Sequence, residues 1–236
     1  MLHLPLQTYW NSNIRGGVKM LENIITINPY VKRVSAIILA GGYSMRMKQF
    51  KPLLPLGNST VIENTINVFK NSGVCDITVV IGFRANDLKN LLDSIGVKWV
   101  YNQNYQEGMY SSVVAGVSSL KADRSGFFLL PADMPLVKKE TIEELLRVNN
   151  STEYDIIYPI YKGQRGHPPL ISANLFPAIK NWDGCGGLRA LLSNYQQVAN
   201  QVEVIDENIL NDMDTPEDYI NLCKSYSRFQ QKVAME

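Results

Sequence analysis

The stretch that decides the fold is VSAIILAGGYSMRMKQFKPLLPLG, Val34 to Gly57. Its first seven residues, Val34 to Ala40, form a short apolar run with β-branched members that ends at a glycine pair. Such a run reads as a buried central strand entering a tight loop. Gly41 and Gly42 carry no Cβ, so the backbone there can take positive φ and lie against a flat or anionic ligand. Arg46, Lys48 and Lys51 follow with no acid among them. A glycine loop with several fixed cations after a first strand is what binding a nucleoside triphosphate requires. A basic surface turn is the plainer alternative. The loop is not a P-loop, because no glycine-lysine-Ser/Thr triplet closes it, and its glycine spacing is not that of a dinucleotide site.

The chain around it has 236 residues, 45% hydrophobic and 19% charged, which suits one α/β domain with a substantial core. A formal net charge of +1 gives no support for nucleic-acid or membrane-surface binding, so any positive field must be local. Three cysteines, Cys75, Cys185 and Cys223, do not make a disulfide framework and point to a reducing, cytoplasmic setting. With His3 and His167 as the only histidines, a multi-histidine metal site is excluded. No apolar run approaches the roughly 18 residues of a membrane helix. The opening MLHLPLQTYW lacks the basic start and continuous apolar segment of a signal peptide. Residues 1–32 read as a loosely attached extension, with Met20 an alternative start; 33–225 read as the domain and 226–236 as a tail.

Downstream of the loop, Ser59 is a candidate N-cap for a helix whose apolar face holds Val61, Ile62, Ile66, Val68 and Phe69. ITVVIG, VKWVYN, FFLLP, DIIYPIY and QVEVID read as further strands, and amphipathic helices alternate with several of them. That alternation predicts an α/β fold with a mostly parallel central sheet covered on both faces. Ligands in such sheets bind beyond the carboxyl ends of the strands, which makes the other strand ends worth reading. Gly108, Ser111 and Ser112 open a helix there, and could hold a phosphate or base edge or simply cap it. Asp133 follows the FFLLP strand, and could hold Mg2+, which takes one or two carboxylates with water and phosphate, or could cap the next helix. His167 precedes two prolines, which should keep that segment from joining a central strand smoothly. In DMDTPED, Thr215 as N-cap, Pro216 at the first helical position and acids in the first turn account for Glu217 and Asp218. Asp214 is left over.

These segments together resemble the molybdenum cofactor nucleotidyltransferases, cytidylyltransferases and molybdopterin-guanine dinucleotide synthases among them, with the cytidylyltransferase branch nearer. The resemblance rests on Gly41, Gly42, Ser44, Arg46, Met47, Lys51, Leu53, Leu54 and Pro55; on Gly108, Met109 and Ser112; and on Leu130, Asp133, Met134 and Pro135. It continues through Gly166-His167-Pro168, through Gly184, Gly187 and Arg189, and through the whole Asp212 to Asp218 motif. Two positions depart from the pattern: Lys48 stands where the family has glycine, and Cys185 where it has an acid.

The resemblance implies a three-layer α/β/α Rossmann-like nucleotidyltransferase fold of GT-A-like type. It implies nucleotide contacts from Leu39, Ala40, Gly41, Gly42, Ser44, Gly108 and Ser112, and substrate contacts from His167, over the acceptor, and Arg189. Arg46 and Lys51 would neutralise charge on the triphosphate, and Asp133 and Asp214 would hold Mg2+. The implied reaction moves CMP from CTP onto the terminal phosphate of molybdopterin, with GTP or a sugar or alditol phosphate as alternatives. A molybdenum hydroxylase or its maturation factor would be the transient partner. A non-catalytic nucleotide or cofactor carrier is the reading from another class. The intact set of Arg46, Lys51, Asp133 and Asp214 speaks against it.

Overall fold

The structure, a computed structural model, describes residues 33–47 and 49–233. The expected extension at 1–32 and the departure at Lys48 lie outside the described residues. In chain order come β1 (Val34–Ala40), a small hairpin of β2 (Pro55–Leu56) and β3 (Ser59–Thr60), α1 (Val61–Asn71), β4 (Ile77–Ile81), α2 (Ala85–Ser94), β5 (Lys98–Tyr101) and α3 (Met109–Ser119). Then follow β6 (Gly126–Pro131), α4 (Lys139–Ser151), β7 (Ile156–Tyr161), β8 (Gln164–Arg165), β9 (Leu170–Ser172), α5 (Phe176–Asn181), α6 (Gly187–Ser193), β10 (Ala199–Glu203) and α7 (Pro216–Val233). The last helix crosses residue 225 without a break.

The main sheet has the order β10-β7-β9-β6-β1-β4-β5, with β8 paired to β7. β1 runs parallel to both β4 and β6, and β10 runs parallel to β7. β9 runs against β6 and β7. The result is a mostly parallel sheet with helices on both faces, as the alternation predicts.

Strand periodicity divides the core in two. Ile38 and Ala40 of β1 join Val79, Ile81, Phe128 and Leu130 under α1, α2 and α4, where Ile66, Leu92 and Leu145 are fully buried. Ile37 and Leu39 face the other way with Val80, Phe127 and Leu129, under Val113, Val117, Ile179 and Leu192 of α3, α5 and α6. Gly116 sets how closely α3 approaches: a Cβ there would lie 2.7 Å from Cγ2 of Ile37. Among the described residues no helix is long and apolar enough to cross a membrane.

Two expectations are corrected. Thr60, not Ser59, caps α1: Glu63 N–H donates to Thr60 Oγ1 at 3.4 Å, and Thr60 N–H donates to the Glu63 carboxylate at 2.8 Å. This reciprocal pair needs an acid three residues after the cap, which Thr60 has and Ser59 lacks. The prolines after His167 do not keep their segment out of the sheet interior. Pro168 and Pro169 both precede β9, and the Pro169 carbonyl accepts from Leu129 N–H at 3.1 Å. Proline removes only a donor, so the three residues that follow can pair with β6 on one side and β7 on the other.

Candidate active site

The carboxyl ends of β1, β4, β5, β6 and β7 lie along one edge of the sheet. The antiparallel β9 begins at that same edge, which is why His167 comes to it. A cleft of about 720 Å³ opens there.

The glycine loop forms its floor. Leu39, Ala40, Gly41, Gly42, Ser44, Arg46 and Lys51 all line it. Gly41 is needed for close approach, not for an unusual φ: a Cβ there would lie 3.2 Å from Ser112 Oγ, while the Gly41 carbonyl accepts from Phe83 N–H at 3.1 Å. The positive φ expected at the glycine pair falls on Ser44 instead, at 53°. Its carbonyl accepts from Met47 N–H at 3.2 Å and its hydroxyl accepts from Lys51 N–H at 3.3 Å. Ser44 therefore shapes the turn that delivers Lys51. Met47 is buried with Leu54, Leu56, Val61 and Met213, so the loop is anchored by its methionine to the segment that carries Asp214.

Lys51, Asp133 and Asp214 meet at the centre. Lys51 Nζ lies 2.9 Å from Asp133 Oδ2 and 2.7 Å from Asp214 Oδ1. Arg46 Nη1 lies 2.8 Å from Asp214 Oδ2, with the arginine side chain 74% exposed at the mouth and that of Lys51 only 11% exposed. Burial and ion pairing compete at this cluster, with different winners. Burial alone would lower the Lys51 pKa, but the two carboxylates outweigh it and hold the ammonium above its ordinary range. At Asp133 burial wins: its carboxyl is pushed up despite Lys51, with the nearby Asp212 adding to the rise.

Capping does not explain either acid. Asp206 serves α4, accepting from Lys138 N–H at 2.8 Å and from Thr141 Oγ1–H at 2.9 Å. At α7, Thr215 caps as expected: Asp218 N–H donates to Thr215 Oγ1 at 3.2 Å, and the Asp218 carboxylate accepts from Thr215 N–H at 2.7 Å. Asp214 is left to face the cleft, and Asp212 lines it as well. Two carboxylates converging on one ammonium form a donor set suited to a divalent cation that completes its shell with water and phosphate. Among the described residues no group of three His, Cys, Asp or Glu forms an all-protein cage.

One flank of the cleft is the start of α3. Gly108 and Ser112 line it, and no side chain caps the helix. Buried Asn102 holds this end in place, donating from Nδ2 to Ser111 Oγ at 2.8 Å and to Ser112 Oγ at 2.9 Å. On the opposite flank stands His167, whose N–H donates to the Ile209 carbonyl at 2.8 Å. Its Nδ1 is buried with no hydrogen-bond partner in the structure. Burial pushes its pKa below the ordinary imidazole value, against the opposing pull of a hydrogen bond with the Leu129 backbone and, after it, of Asp133 and Asp212.

Arg189 is not brought into this group. It is exposed on α6 and does not line the cleft. Tyr43, Tyr105 and Arg165 do line it and were not singled out in the sequence. The strand-end rule carried a signal for Asn102, the first residue past β5. Tyr43 lay inside the glycine loop itself.

A glycine loop after the first strand, a lysine shared by two carboxylates, and a mostly parallel sheet with its cleft at the strand ends define an α/β nucleotidyltransferase. The chain belongs to the family of the MobA-like NTP transferase domain, whose model matches residues 36–199. It is 30% identical over 198 residues to the molybdenum cofactor cytidylyltransferase of Escherichia coli (strain K12), covering 82% of this chain and 97% of that one. It is 25% identical over 197 residues to the nicotine blue oxidoreductase of Paenarthrobacter nicotinovorans, covering 80% and 96%. In fold it is similar to the crystal structure of Rv0371c from Mycobacterium tuberculosis H37Rv, with a TM-score of 0.72 and 23% identity over 82% of this chain and 99% of that one.

Proposed function

We propose that this nucleotidyltransferase uses Mg2+ and moves CMP from CTP onto the terminal phosphate of molybdopterin, releasing pyrophosphate. The observation that carries the reading is the sharing of Lys51 by Asp133 and Asp214 directly beside the glycine loop. The likeness to the E. coli cytidylyltransferase along nearly all of its length supports CTP as donor and molybdenum cofactor as acceptor.

In this reading an oxygen of the acceptor phosphate attacks the α-phosphorus of CTP. A P–O bond forms there as the bond to the β-phosphate breaks, and the pair of electrons leaves with pyrophosphate. The attacking phosphate is already ionised, so the chain's task is alignment and charge neutralisation rather than proton transfer. Lys51 sets the position of the reacting phosphates from the cleft floor, and exposed Arg46 meets the departing pyrophosphate at the mouth. Gly41 and Gly42 let the backbone lie against the nucleotide. Mg2+, held by Asp133 and Asp214 when bound, would offset repulsion between the two anionic reactants. His167, which lines the cleft on the flank away from α3, positions the acceptor without exchanging a proton. A cytoplasmic setting suits the free thiols Cys75, Cys185 and Cys223, and a molybdenum hydroxylase or its maturation factor would receive the product.

The test is pyrophosphate release with Mg2+ and molybdenum cofactor, using each of the four nucleoside triphosphates in turn. Release with CTP alone supports the proposal. Release with GTP would keep the chemistry and replace the product. Release only with sugar or alditol phosphates as acceptor would replace the substrate. Nucleotide binding with no release for any acceptor would favour a carrier.

A further inference from the structure

The cleft has an aromatic end that the transfer chemistry does not use. Tyr43 directly follows Gly42, lines the cleft and keeps 42% of its surface exposed. Its ring centroid lies 5.0 Å from that of Phe83, beyond β4, and 5.6 Å from that of Tyr105, beyond β5. Phe83 rests in turn on Phe50, at 6.3 Å edge to face, and Phe50 is buried. An exposed ring backed this way is already ordered, so a ligand that covers it loses little side-chain entropy on binding.

Position along the sheet says which ligand part it suits. In the order β5, β4, β1, β6, β9, the aromatic rings stand at the exits of the first three strands. The Lys51–Asp133 pair stands at β1 and β6, and His167 stands at the entry to β9. A nucleoside triphosphate has a flat base at one end and its anionic chain at the other. The cleft matches that polarity, with the acceptor flank on the far side of the charged centre.

We propose that Tyr43, backed by Phe83 and Tyr105, is the stacking wall for the nucleobase of the donor nucleotide. The inference rests on the nucleotidyl-transfer reading and deepens it by naming the residue that binds the base. Every base presents a π-face, so stacking here raises affinity without choosing among bases.

The test is titration calorimetry on the full chain with Mg2+, comparing CTP with inorganic tripolyphosphate, which has the anionic chain and no base. Stacking by one aromatic side chain contributes enough that Tyr43→Ala should weaken CTP binding by about fivefold or more. Tripolyphosphate affinity should not change, and Tyr43→Phe should recover most of the CTP affinity. Equal weakening of both ligands would overturn the inference, since it would mean that the loop had shifted. Unchanged CTP affinity in Tyr43→Ala, or a loss seen only in the KM of the acceptor, would overturn it while leaving the transfer reading intact. Wild-type protein that binds no nucleotide would overturn both.

Discussion

Lys51 and Asp214 are 163 positions apart in the chain and 2.7 Å apart between Nζ and Oδ1. The first comes from the loop after β1, the second from the segment that leads into α7. Their contact closes the cleft's charged centre, and the burial of Met47 against Met213 holds the two segments together beside it.

Lys51→Ala should lower turnover by roughly 100-fold, the usual effect of losing one electrostatic contact worth about 3 kcal/mol in the barrier. Circular dichroism should show the fold retained. Asp133→Ala should match it in size. Turnover near wild type in either variant would take that residue out of the mechanism.

Asp214 and Asp212 should separate. Asp214→Asn removes the shared partner of Arg46 and Lys51 and should lower turnover by about 100-fold, with more Mg2+ needed for half-activation. Asp212 has no ion pair with either cation, so Asp212→Asn should have the smaller effect on both readouts. A larger effect at Asp212 would exchange their roles.

Arg189→Ala should leave kcat and KM within about twofold, the scale of ordinary surface substitutions. The resemblance implies a substrate contact, but the side chain is exposed on α6 and is not among the residues that line the cleft. A selective rise in the KM of the acceptor would show that α6 reaches the substrate.

Stability should depend on an acid at the opposite edge of the sheet. The Asp76 carboxylate accepts from Ser35 Oγ–H at 2.7 Å and Lys98 Nζ at 2.6 Å, with Arg124 Nε at 2.7 Å. Burial would raise its pKa, but these partners outweigh it and hold it below the ordinary 3.8. A depressed folded-state pKa means that its contribution is present above 3.8 and is lost as pH falls through the folded value. Asp76→Asn should therefore lower Tm at neutral pH, by about 2–4 °C for each kcal/mol lost in a domain of this size. The gap to wild type should close in thermal melts below that pH. A gap that persists in acid would assign the effect to shape rather than charge.

Much of this architecture is legible in short stretches. The run Val34 to Ala40 ends in glycine because β1 turns into a crowded loop there, and Asp133 stands out because it directly follows an apolar strand. What escapes is set by distant pairing. β9 is three residues long, and only its contacts with β6 and β7 make it a strand. The competition at Asp133 between burial and Lys51 depends on a fold that brings residues 82 positions apart together. The glycine pair drew the expectation of positive φ, whereas its tight contact with Ser112 is the reason for Gly41, and Ser44 takes the strained turn. Motif matching gives the identity of Arg189 but not its distance from the cleft, because where a helix lies and faces is decided by packing.

The most direct test of the account is product analysis by mass spectrometry after incubating the full chain with CTP, Mg2+ and molybdenum cofactor. The account predicts the cytosine dinucleotide of the cofactor and one pyrophosphate for each molecule formed, with both lost on chelating Mg2+ and restored on adding it back. Bound CTP with neither product, in the presence of Mg2+ and acceptor, would contradict it.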